Sequence, residues 1–208
     1  MTRLRIVLTL LVASSIAALV IPLAIIVTRK HGVETGPTGA VSLADPLPDV
    51  RAFSLTDHRG QRCGTAELRG KVVLLYFGYT FCPDICPTEL GYLAKVMRGL
   101  GPDAHQVVPV FVTVDPERDS QQVLAEYVSL FDPRLIGLRG TPAEIDAMAT
   151  AYGVMHQKTQ VVTKQAGYYL IDHTSTIFVL DRQGRIADTL DSDTSIPVAV
   201  ARLRRLLP

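Results

Sequence analysis

The sequence predicts an α/β domain with a mixed central sheet flanked by helices, preceded by one transmembrane helix. Three observations predict it. An uncharged apolar run stands near the start; strand-like and helix-like segments alternate through the middle; and several strand-like segments follow one another before a final amphipathic helix.

The 208 residues leave room for one ordinary domain and a short additional segment, and 48% apolar content is enough to build a core. The formal net charge is only +1, with basic residues scattered along the chain, so no positive field gathers nucleic acid and that class of partner is excluded.

Ile6 to Val27 carries no charge, and roughly 20 apolar residues suffice to cross a bilayer core. A cleaved signal peptide has a shorter apolar stretch, about 7 to 15 residues, ending in small residues. Residues 1–30 are therefore expected to form an uncleaved anchor. Arg3 and Arg5 before the run are balanced by Arg29 and Lys30 after it, so charge alone leaves the orientation open. The run leaves no room for an Arg- and Ser-rich transit peptide ahead of it, which favours a bacterial inner membrane. Residues 31–44, rich in Gly, Pro, Thr and Ala without an apolar period, read as a flexible tether, and residues 45–208 as the folded domain.

Within the domain, Val50 to Leu55 enters a turn at Asp57 to Gly60, and Lys71 to Tyr79 is a continuous β-prone run suited to a buried strand. Ile85 to Leu100 places Leu90, Leu93, Val96, Met97 and Leu100 at helical spacing, with Gly99, Gly101 and Pro102 as stop signals. Val107 to Val114 is the next strand, its pairing pushed toward Val110 because Pro109 cannot donate a hydrogen bond. Asp119 to Leu130 reads as a helix and Arg134 to Leu138 as a short strand. Thr141-Pro142-Ala143-Glu144 is a capping box opening another helix. Val154 to Val162 and Gly167 to Ile171 are expected to pair as a hairpin, followed by strands at Thr174 to Leu180 and Arg185 to Leu190 that close the sheet antiparallel. Ser195 to Leu207 ends the chain as a helix with Ile196, Val200, Leu203 and Leu207 on one side. Parallel βαβ units followed by antiparallel strands fit a thioredoxin-like fold.

The chain has three cysteines, Cys63, Cys82 and Cys86, too few for a disulfide scaffold. Cys82 and Cys86 stand at the strand-to-helix junction, in Thr80-Phe-Cys-Pro-Asp-Ile-Cys-Pro87. If Pro83 lies near the first helical position, both sulfurs project to one helix end, where the helix dipole favours thiolate; Asp84 opposes this modestly. Metal binding and disulfide exchange both fit the pair, and two buried structural cysteines are the bland alternative. Cys63, in an early hairpin, reads as a cysteine without a role.

A third ligand would come from His31, His58, His105, His156 or His173. His31 reads as tether, His58 as turn and His105 as polar loop. His173 lies at a junction between strands, where a structural histidine fits as well as a ligand.

Tyr76 to Leu90 (YFGYTFCPDICPTEL), Val112 to Ser120 (VTVDPERDS) and Tyr169 to Arg185 (YLIDHTSTIFVLDRQGR) resemble the three ordered motifs of SCO/SenC proteins, and the likeness covers nearly all of the soluble domain. The resemblance implies that Cys82, Cys86 and His173 bind copper and that Asp115 lies near the metal, although capping a strand end would explain Asp115 equally well. Two thiolates and one imidazole suit Cu(I) and tolerate Cu(II), while zinc remains chemically possible. The implied function is a copper chaperone rather than an enzyme, with enzymatic thiol exchange left open. Its acceptor is the cytochrome c oxidase subunit carrying the dinuclear copper site, its other partners are copper carriers or thiol reductases, and its domain faces the periplasm. The main alternative is a thiol-disulfide oxidoreductase with Cys82 as nucleophile and Cys86 as resolving thiol. A thiol peroxidase and a membrane sensor are weaker fits. The C-x-x-x-C spacing, wider than the usual C-x-x-C, leans toward metal.

Overall fold

The computed structural model describes residues 52–160 and 169–208. The expected anchor and tether lie outside them. Among the described residues no helix is long and apolar enough to cross a membrane.

The domain opens with a hairpin of β1 (Ser54–Asp57) and β2 (Arg62–Gly64), followed by a single helical turn, α1 (Thr65–Leu68). β3 (Val72–Gly78) is buried at all seven positions, which is why it reads as an unbroken apolar run. α2 (Ile85–Gly99) follows, then a 3-10 turn (Gly101–Gln106) and β4 (Val107–Thr113). α3 (Gln121–Ser129), β5 (Ile136–Arg139) and α4 (Pro142–Ala151) complete the alternating part. β6 (His156–Gln160) and β7 (Tyr169–His173) pair as a ribbon, and β8 (Ile177–Leu180), β9 (Ile186–Leu190) and α5 (Ile196–Arg204) finish the chain.

Seven strands form one mixed sheet in the order β2-β1-β5-β4-β3-β8-β9. β3, β4 and β5 are parallel, while β8 runs antiparallel to β3 and β1 antiparallel to β5. The core is continuous from Leu55 on β1 through β3, β4 and α2 to Leu203 on α5.

Four expectations shift. Of the expected first strand over Val50 to Leu55, residues 50 and 51 lie outside the described residues; within them the strand is Ser54–Asp57, running past Leu55 because it pairs with both β2 and β5. α3 begins at Gln121 and not at Asp119, because the Ser120 hydroxyl caps the helix by accepting from the Val123 N–H at 3.2 Å, while the Asp119 carboxylate is used elsewhere. Pro109 does not displace pairing with β3, where it sits opposite Leu74; only β5 starts beyond it, at Val110. The hairpin of β6 and β7 does not join the main sheet, which β8 and β9 close; residues 161–168 of that hairpin lie outside the described residues. The capping box at Thr141 forms as expected, with Pro142 at the first helical position.

Candidate metal centre

The site forms where β3 hands over to α2. Gly78, the last residue of β3, has no side chain for a reason visible in the packing: a Cβ there would stand 2.8 Å from the Cys86 sulfur and 2.8 Å from the Phe111 ring. Absence of that carbon lets the thiol lie against the strand end. The loop after it is pinned by Asp119, whose carboxylate accepts from the Thr80 N–H at 3.0 Å, the Thr80 hydroxyl at 2.6 Å and the Thr113 hydroxyl at 2.5 Å. Burial raises the Asp119 pKa, against the lowering effect of those bonds. Neither Asp119 nor Gly78 was singled out in the sequence; an acid one residue before a helix cap offers no separate signal.

The helix starts at Ile85, with Asp84 at its N-cap, so Pro83 precedes the helix and is not its first residue. Cys86 therefore sits in the first turn, fully buried, whereas Cys82 lies in the loop before it, half-buried. The two sulfurs approach because that loop curls over the helix end and the Cys86 N–H donates to the Cys82 sulfur at 3.5 Å, not because both ride one helical face. Both thiols are free.

His173, at the end of β7, completes the group: ligand atoms of Cys82, Cys86 and His173 all lie within 4.8 Å of one another. His173 Nδ1 is 3.0 Å from the Thr174 carbonyl. A carbonyl only accepts, so the Nδ1 carries the proton, and the lone pair of Nε2 faces the Cys86 sulfur at 3.2 Å. The ring is held edge-on by Tyr76 and Tyr79, with centroids 6.2 and 5.8 Å away. This orients a nitrogen donor at two sulfur donors before any ion arrives, with the outer nitrogen fixed by a backbone acceptor as in metal-ligating histidines.

The two thiols divide their protons unequally. Hydrogen bonding from Cys86, with help from backbone N–H groups of Asp84 and Cys86, pulls the Cys82 pKa down to about 4 against partial burial. The thiolate at Cys82 and burial push Cys86 the other way, so Cys86 keeps its proton. That proton has two acceptors within the group, the Cys82 sulfur and His173 Nε2; a soft cation is the species that satisfies all three atoms at once.

Asp115 is buried but does not touch the three donors. Its carboxylate accepts from the Arg118 Nε and from the Tyr169 hydroxyl at 2.8 Å. Arg118 in turn donates from Nη1 to the Tyr169 carbonyl at 2.9 Å and stacks on Tyr169, Phe81 and Tyr79, with its guanidinium 3.6, 4.9 and 5.6 Å from the ring centroids. The Tyr79 hydroxyl accepts from the Ile171 N–H at 3.1 Å. Asp115 and Arg118 thus fasten the β6–β7 ribbon, and with it His173, to the loop that carries Cys82.

The remaining candidates fall away from this point. His58 accepts from the Gly137 N–H, His105 bonds the Pro102 carbonyl, and His31 lies outside the described residues. Cys63 is a core residue opposite Leu55, its thiol pKa raised by burial. His156 pairs with Asp146.

A seven-stranded mixed sheet with free thiols at the β3–α2 junction defines a thioredoxin-like domain carrying a thiol–imidazole group that could hold a metal ion. The SCO1/SenC family model matches residues 44–208, and the chain belongs to that family. The mitochondrial SCO2 homolog of Mus musculus is 42% identical over 155 residues, covering 74% of this chain and 60% of that protein. The chain thus spans less than two thirds of that relative's length. Bradyrhizobium japonicum ScoI, solved with copper bound, superposes with a TM-score of 0.71 at 42% identity, over 77% of this chain and 100% of that one. Yeast Sco1 with copper bound gives 0.68 at 33% identity, over 77% and 88%.

Proposed function

We propose that this chain is a copper chaperone that binds copper as cargo through Cys82, Cys86 and His173 and passes it to the cytochrome c oxidase subunit carrying the dinuclear copper site. The observation that carries the reading is the convergence of two thiols and an oriented imidazole, drawn from residues 87 apart, within 4.8 Å. Copper in the related ScoI and Sco1 structures supports it. Two thiolates and one imidazole leave a coordination position through which an acceptor's ligand can enter, and Cu(I) tolerates such low coordination.

Residues 1–30 anchor the domain in a bacterial inner membrane and 31–44 tether it on the periplasmic side; the uncharged run Ile6 to Val27 supports this assignment. Copper carriers load the site and thiol reductases keep the pair reduced.

One observation favours a second activity. The unequal pair, a half-buried Cys82 thiolate beside a buried Cys86 thiol, has the polarity of a nucleophile and its resolving partner, which suits reduction of a disulfide in the acceptor. The test that separates the readings is a copper titration and a disulfide-exchange assay on the reduced full chain. For the chaperone, one copper per chain is expected, with the ion lost in Cys82→Ala and weakened in His173→Ala. Absence of copper binding together with intact exchange would transfer the assignment to the reductase.

A further inference from the structure

We propose that the Tyr76 hydroxyl is a hydrogen-bond donor to the Cys86 thiolate once copper is bound, which makes Tyr76 a further residue of the metal centre; this rests on the copper reading above.

Side chains alternate along a strand, so Tyr76 and Gly78 belong to the same face of β3. The point where a Gly78 Cβ would stand is 2.8 Å from the Cys86 sulfur and 3.1 Å from Tyr76 Cε1, the ring carbon next to the one that bears the hydroxyl. The same ring lies edge-on to His173, with centroids 6.2 Å apart. Tyr76 thus borders two of the three donors at once, and both Tyr76 and Cys86 are fully buried.

Among the described residues the Tyr76 hydroxyl has no hydrogen-bond partner. A buried hydroxyl left unpaired works against folding. Packing explains the ring, which stacks on Phe111 with centroids 6.2 Å apart, but a phenylalanine would make that contact without the polar group. The hydroxyl therefore needs an explanation of its own. Burial, followed by charge on the nearby Cys86 sulfur, raises the Tyr76 pKa, so the hydroxyl keeps its proton and remains a donor.

Copper binding creates the missing acceptor. The ion takes the place of the Cys86 proton, which leaves to solvent, and the sulfur becomes an anion at a fully buried position. A hydrogen bond to a charged acceptor is stronger than one between neutral groups, so a Tyr76 O–H turned toward that sulfur favours the loaded state over the empty one. The hydroxyl destabilises the metal-free protein and stabilises the copper-bound protein.

The test is Tyr76→Phe in the full chain in detergent, read by anaerobic titration of Cu(I) against a chromophoric chelator and by urea denaturation of the metal-free reduced chain. Copper affinity is expected to fall about tenfold, while the urea midpoint stays level or rises. In the Cu(II)-loaded chain the thiolate-to-copper charge-transfer band is expected to move to longer wavelength, because a sulfur without its donor gives up charge more readily. Tyr92→Phe removes another buried hydroxyl without a partner, further along α2, and is expected to leave copper affinity unchanged. Unchanged affinity or an unmoved band in Tyr76→Phe would overturn the inference. So would a fall in affinity accompanied by a lower urea midpoint, which would mean that the hydroxyl serves the fold, or an equal fall in Tyr92→Phe. Absence of copper from the wild-type chain overturns the chaperone reading and this inference with it, whereas wild-type copper affinity in Tyr76→Phe overturns the inference alone.

Discussion

The two halves of the candidate site are built differently. Cys82 and Cys86 stand on the main sheet: β3 beneath them is wholly buried, Gly78 makes room for the sulfur, and Asp119 fixes the loop. His173 comes from a two-stranded ribbon outside that sheet, held to the loop by the Asp115–Arg118–Tyr169 cluster and the bond from Ile171 to Tyr79. A site made from one stiff element and one fastened element can open by moving the second without unfolding the first. That suits the cargo release that the proposed chaperone role requires.

The comparison breaks most visibly when each half is removed. Cys86→Ser should take copper from one per chain toward none and stall disulfide exchange at the mixed disulfide on Cys82, whereas His173→Ala should lower copper affinity while leaving much of the exchange activity. Metal analysis and an exchange assay on the same preparations check this; equal loss of exchange in both variants would show that the imidazole belongs to the thiol chemistry rather than to the metal alone.

The next effect tests the fastening. Asp115→Ala leaves the Arg118 guanidinium, only 19% exposed, without its anion, and breaking a buried pair in this way costs about 3 kcal/mol. Urea denaturation should show that loss, and the folded fraction should bind copper as His173→Ala does, because the ribbon is no longer held against the loop. Copper affinity at the wild-type level would mean that β6 and β7 keep their place without Asp115.

Gly78→Ala tests the stiff half. The added methyl meets the Cys86 sulfur and the Phe111 ring inside van der Waals contact, and overpacking of this kind costs about 1–3 kcal/mol. The expected signature is a lower urea midpoint together with weaker copper binding, since the sulfur itself must shift; a stability loss with unchanged copper affinity would place the strain on Phe111 instead.

How legible each half was in the sequence follows the same division. The β-prone run Lys71 to Tyr79, the following helix and the Thr141 capping box are local signals, and the elements fall within a residue or two of where they were expected. Cys82 and Cys86 were legible because they are close in sequence, although the reason for their proximity was not: the loop, not a shared helical face, brings the sulfurs together. His173 was chosen over the other histidines only through the resemblance, because a contact across 87 residues has no periodicity to reveal it. Asp115 was expected near the metal but acts through Arg118 and Tyr169, and Asp119 was hidden inside a predicted helix whose true cap is Ser120. Side chains that fasten one element to another are read from tertiary contacts, and these carried no local pattern.

The smallest expected effect concerns the unequal thiols. In the metal-free reduced chain, Cys82 has its pKa pulled down to about 4, first by the hydrogen bond from Cys86. Its thiolate should therefore be almost fully formed throughout pH 6 to 8. Alkylation by iodoacetamide, followed by peptide mapping, should change at Cys82 by less than about twofold across that range, whereas a thiol with an ordinary pKa near 8.5 gains roughly 75-fold in thiolate over the same interval. The rate at Cys82 should fall only as the pH drops toward 4, because protonation then removes the nucleophile. Cys86, buried and holding its proton, should remain unmodified throughout. A steep rise at Cys82 between pH 6 and 8 would mean that the Cys86 proton is given to His173 Nε2, placing the stronger hydrogen bond on the ribbon side of the site rather than on the loop side.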